Sequence, residues 1–102
     1  MSAIAYTVIA SFPDAPTRDE YIAWLEDGHI DLVIRHGAHA ASIIRVIDPA
    51  QPIQVEVRYT FSTRDLFDTY IRDHAPALRA DGLRRFPPDR GITFVRRVGQ
   101  IV

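Results

Sequence analysis

The chain has 102 residues and a net charge of −1; every basic residue is arginine, and cysteine, lysine and asparagine are absent. That length fits one domain over residues 1–102, and the charge balance leaves no electrostatic footprint for nucleic acid or an anionic membrane. Without cysteine there is no disulfide, thiolate nucleophile or Cys-held metal, and without lysine no Schiff base or Walker-type phosphate loop.

Residues Ile4 to Phe12 are rich in β-formers and predict a first strand. Pro13-Asp14-Ala15-Pro16 breaks it. Thr17, with Glu20 three residues on, has the spacing of a capping box and predicts a helix that runs to His36 and stops at Gly37. A second strand is expected from His39 to Ile47, and a turn over residues 48–52. From Ile53 to Phe61 the pattern alternates strictly: Ile53, Val55, Val57, Tyr59 and Phe61 face one way, and Gln54, Glu56, Arg58 and Thr60 the other. Ser62 or Thr63 caps a second helix that reaches Asp73. His74-Ala75-Pro76 marks a break, because the residue before proline disfavours helical geometry. Pro76 suits the first turn of a short third helix ending near Arg85. Ile92 to Val98 make the last strand.

This β-α-β-β-α-β order predicts an α+β, ferredoxin-like fold. The sheet has four antiparallel strands, the first and third central, with the helices on one face. In the first, second and fourth strands both side-chain sets contain apolar residues, such as Val8/Ile9, Ile43/Ile44 and Phe94/Val95. A sheet with one wet face alternates more cleanly. A second copy of the chain is therefore expected to cover the other face, as a homodimer. A chain this short, burying only about two-thirds of its unfolded surface, gains from that added burial. The N-terminus lacks a basic segment before an apolar run, and no apolar stretch approaches the ~20 residues of a spanning helix. A cytoplasmic location without membrane attachment is expected.

On a helical wheel, His29 and His36 fall within the first helix's apolar stripe of Tyr21, Ile22, Leu25, Leu32 and Val33. His74 falls within that of the second, one turn after Tyr70. His29 and His74 are thus expected to face the space between helices and sheet. An imidazole there has the chemistry of a general acid or base, Tyr70 that of an oxyanion donor, and Arg58 or Arg45 that of a carboxylate clamp. The plain structural reading is that each imidazole bonds a carbonyl and plugs the core. Trp24 flanks the stripe, where packing is the first reading and ligand stacking the second. His74, His29 and Tyr70 are the candidate catalytic residues; Arg58, Trp24 and Tyr59 are the candidate substrate contacts.

His36-x-x-His39 has a metal-like spacing, but Gly37 breaks the helix between the pair and no carboxylate joins them, so no metal is assigned. Tyr59 and Phe61 have the spacing of base-stacking aromatics on an RNA-binding sheet. The basic and glycine pattern that accompanies such aromatics is missing, so nucleic acid is set aside. No glycine-rich cofactor fingerprint is present and no cofactor is assigned; haem is a distant alternative that an axial histidine alone would support.

Trp24-Leu25-x-x-x-His29-Ile30 and His74-Ala75-Pro76-Ala77-Leu78-Arg79-x-x-x-Leu83-x-Arg85-Phe86 resemble the signature segments of a family of small bacterial proteins of unknown function. That family is placed in the dimeric α/β-barrel superfamily. The resemblance implies a homodimer whose two sheets meet as a barrel with helices outside. It supplies no activity, because relatives in the superfamily include cofactor-free monooxygenases, isomerases, polyketide cyclases, haem enzymes and proteins without known activity. The sequence therefore leads to a cofactor-free enzyme or binding protein for a small aromatic or enolisable molecule, of isomerase, cyclase, lyase or monooxygenase type. The alternative is a non-catalytic dimeric ligand-sensing or protein-interaction domain.

Overall fold

The computed structural model describes residues 2–102. Strand β1 (Ile4–Phe12) leads to helix α1 (Ala15–Trp24), a wide helical turn over Leu25–His29 and helix α2 (Ile30–Arg35). Strands β2 (Ala40–Arg45) and β3 (Ile53–Phe61) follow, then helices α3 (Arg64–Asp73) and α4 (Ala75–Arg85), and finally strand β4 (Thr93–Gln100). The sheet order is β2-β3-β1-β4, all antiparallel. The first and third strands are central, as the sequence predicts.

The alternating residues of β3 decide which face is buried. Val55, Val57, Tyr59 and Phe61 lie opposite Ala10, Val8, Tyr6 and Ile4 of β1. All but Val8 are buried, under α1, α3 and α4. Phe61 and Phe86 are wholly enclosed. Burying one such side chain contributes roughly 1.5–3 kcal/mol, so these rings anchor the helix layer. The other face carries Ser42, Arg58, Thr7 and Arg97 in one cross-strand row, and Ile44, Glu56, Ile9 and Val95 in the next. It is more mixed than the strand composition suggests, but it does present three large aliphatic side chains in one row.

The first helix departs from expectation twice. Its N-cap is Asp14, whose Oδ1 accepts from the Thr17 backbone N–H at 2.8 Å. Thr17 is the third helical residue, not the cap, because Pro16 fits only the first turn, where its missing N–H costs nothing. Glu20 does not close a capping box; it pairs with Arg90 at 2.7 Å. The helix is also not continuous to His36. At Asp27 (φ −90°, ψ 44°) and Gly28 (φ 112°, ψ −21°) the backbone leaves helical geometry and an extra residue enters the turn. Only glycine reaches such a φ without a Cβ penalty. Gly37, at φ 129°, ends α2 as predicted. Thr63 caps α3 by accepting from the Leu66 backbone N–H at 3.1 Å.

Candidate functional site

Between the helix layer and the β1/β4 side of the sheet lies a partly open cavity with about 60 Å³ of free space. The sheet supplies its floor through Tyr6 and Val8 of β1, Tyr59 of β3, and Phe94 and Arg96 of β4. Tyr21 and Trp24 of α1, His29, and Tyr70 of α3 form the walls, and Leu78, Arg79, Gly82 and Leu83 of α4 complete them. Gly82 allows a close approach, since a Cβ there would sit 3.3 Å from Trp24 Cη2.

The aromatic rings hold one another in place. Tyr6 and Tyr59 stack with centroids 5.9 Å apart, and Tyr70 tilts against Tyr6 at 6.3 Å. Tyr21 meets Phe94 at 6.0 Å. Burial holds the Tyr70 hydroxyl in its protonated form, its pKa pushed up to about 12. The same desolvation pushes Tyr21 and Tyr59 up further. These phenols are hydrogen-bond donors at any physiological pH, not bases.

His29 stacks on Trp24 at 4.2 Å and 27°. Its Nδ1 is buried and finds no hydrogen-bond partner among the described residues. Desolvation pulls its pKa from 6.5 down to about 4, with Asp81 pulling weakly the other way. The imidazole is therefore neutral at pH 7. Arg79 donates through Nη2 to Tyr6 Oη at 3.1 Å, while its Nε is buried without a partner. Buried polar groups are nearly always satisfied. Both of these atoms belong to residues that line the one cavity.

Of the residues singled out from sequence, His29, Tyr70, Trp24 and Tyr59 line this cavity together. His74 does not. It lies at the break between α3 and α4 with φ −122°, where the helical wheel no longer applies. There its ring stacks flat on His36, centroids 3.9 Å apart. Arg58 is also elsewhere: it is exposed on the opposite face of the sheet, paired with Glu56 at 3.1 Å. The alternation of β3 requires this, since Arg58 and Tyr59 must point opposite ways. Arg45 is likewise exposed, with Asp19 at 3.9 Å. Among the described residues no group of three or more His, Asp or Glu is placed to hold a metal.

Sequence reasoning missed Tyr6, Arg79 and Arg96. The signal for Arg79 was present: Ala75, Leu78, Arg79 and Gly82 share one face of α4, so an arginine interrupts an inward stripe. Arg96 sits between Phe94 and Val98 on the helix-facing side of β4, with its guanidinium 5.8 Å from the Phe94 centroid.

Fold and cavity together define a ferredoxin-like α+β protein with a pocket between its helices and sheet. The chain belongs to the family described as Domain of unknown function DUF4286, whose model matches residues 4–100. No curated protein matches it in sequence. Among solved structures, it is similar to a dimeric ferredoxin-like protein from an uncultured marine organism, with a TM-score of 0.79, 16% identity and coverage of 100% of this chain and 97% of that one. An ethyl tert-butyl ether d family protein from Bacillus halodurans gives 0.75 at 11% identity, over 100% of both chains. SnoaB, a cofactor-independent oxygenase from Streptomyces nogalater, gives 0.63 at 13% identity, over 100% of this chain and 93% of that one. At such identities the likeness establishes the fold. Among the described residues no helix is long and apolar enough to cross a membrane.

Proposed function

We propose that this protein is a cofactor-independent enzyme that moves a proton on a small aromatic or enolisable molecule, with His29 as the base. The carrying observation is that His29, its ring desolvated and neutral, lines a cavity whose other walls include four tyrosines. A general base needs a free lone pair and a substrate site beside it. A pKa of about 4 makes His29 a weak base while the cavity is empty. An oxyanion forming beside it offsets that weakness, because a nearby negative charge favours imidazolium. The substrate's C–H or O–H proton passes to the imidazole, and its electron pair moves onto the substrate oxygen. Tyr70 donates to that oxygen. Returning the proton to another carbon completes an isomerisation. Attack of the enolate carbon on a carbonyl of the same molecule, with the proton passing to the new alkoxide, completes a cyclisation. With O₂ as co-substrate the enolate carbon adds O₂, takes up the proton as a hydroperoxide and loses water to leave a carbonyl. The cofactor-independent oxygenase of the same fold is consistent with this class of chemistry.

The test is deuterium exchange into enolisable one-ring ketones and phenols, followed by NMR. General-base catalysis contributes about 10²–10⁴-fold. His29→Gln should lose that factor, while His74→Gln should keep it. Full exchange in a folded His29→Gln variant would remove His29 as the base.

The working unit we propose is a homodimer formed through the uncovered sheet face, where Ile44, Ile9 and Val95 share one row and Val95 is 53% exposed. The marine ferredoxin-like protein of the same fold is dimeric. Sedimentation should give twice the chain mass, and Val95→Asp should shift it toward the monomer.

A further inference from the structure

We infer that the ligand of this cavity is an anion, a small planar carboxylate held by Arg79, an inference that rests on the cavity being the ligand site proposed above. Two arginines, Arg79 and Arg96, line the cavity, and no aspartate or glutamate does. The ion pairs among the described residues are all made by other arginines. The cavity thus has positive charge on its wall without an internal counter-ion.

The geometry at Arg79 fixes the kind of anion. Its Nη2 donates to Tyr6 Oη at 3.1 Å, and its buried Nε has no acceptor. A guanidinium presents donors in a flat fork that matches a carboxylate. Because Tyr6 Oη accepts from Arg79, its own O–H is free to donate. A carboxylate in the cavity would take an Nη–H of Arg79 on one oxygen and the Tyr6 O–H on the other, which completes a line from Arg79 through Tyr6 to the ligand.

Size and shape narrow the class further. The cavity is small, with about 60 Å³ of free space, and open to one side. A single ring with one substituent is the largest ligand that suits it. Walls of Tyr21, Trp24, Tyr59 and Phe94 favour a flat ring over a branched chain.

Benzoate and its neutral isostere benzamide are the probes, read by calorimetry and by the emission of Trp24, the chain's single tryptophan. On the wild-type protein at low salt, benzoate should bind at least about tenfold tighter than benzamide, the effect of a charge-assisted pair. Arg79→Gln should erase that preference, with benzoate losing at least about tenfold more affinity than benzamide. Arg79→Lys, which keeps the charge and loses the fork, should retain part of the preference and guards against a folding defect in the first variant. Equal binding of the two probes, or a preference that survives Arg79→Gln, overturns the anion and leaves the pocket standing. Binding of neither probe overturns both the anion and the pocket.

Discussion

Neutral His29 has a consequence for stability that can be measured without knowing the substrate. Its pKa falls from 6.5 to about 4 because burial penalises the charged ring. That difference of about 2.5, at about 1.4 kcal/mol each, sets an upper bound of roughly 3.5 kcal/mol. Between the two values the unfolded chain binds a proton at His29 that the folded chain does not. Stability is therefore full above the unfolded pKa and falls as pH drops through the window from 6.5 toward 4. Taking the window only from about pH 7.5 to about pH 5, the expected loss is about 2 kcal/mol. Water reaching the partly open cavity makes that a ceiling. Asp14, Glu20 and Asp73, whose pKa values are lowered by their hydrogen-bond partners, also lose stability as pH falls. Their loss begins nearer pH 4. Urea unfolding of wild type and His29→Phe at the two pH values separates the contributions. Phenylalanine keeps a flat ring for Trp24 to stack on and cannot titrate. The wild type should lose more than the variant over this interval, by up to about 2 kcal/mol. Equal losses in the two proteins would mean that His29 is not desolvated, and the argument for a base held neutral by burial would fall with it.

Gly28→Ala should cost about 1–2 kcal/mol, since an L-residue is forced to positive φ. A Cβ there would have open space around it, so the cost is purely conformational; urea midpoints measure it, and a neutral result would mean that the wide turn can rewind into regular helix. Asp14→Ala should lower the melting temperature by a few degrees, because it removes the acceptor for the Thr17 backbone N–H, whereas Thr17→Ala should change it less. The reverse order would restore Thr17 as the cap.

The sequence by itself determined the strands, the helix-facing side of the sheet and the strand order. Each rests on local periodicity: the alternation from Ile53 to Phe61 fixes a face, and two β-α-β units with right-handed crossovers leave one arrangement of the sheet. Half of the site was legible for the same reason. Tyr59 followed from strand alternation, and His29, Tyr70 and Trp24 from their place in or beside an apolar stripe. What sequence could not give is the wide turn at Leu25–His29, because one inserted residue leaves no periodic trace and Gly28 reads equally well as an ordinary helical glycine. Nor could it show that the α3 wheel stops before His74, whose ring turns to meet His36 from a distant segment. The pairing of Arg79 with Tyr6 joins residues 73 positions apart. Such a contact is decided by how α4 lies across β1, which is set by the packing of Phe61, Phe86 and the tyrosines between them. Periodicity reports the environment of one segment at a time; only the tertiary structure brings the imidazole, the phenols and the Arg79 guanidinium to one cavity.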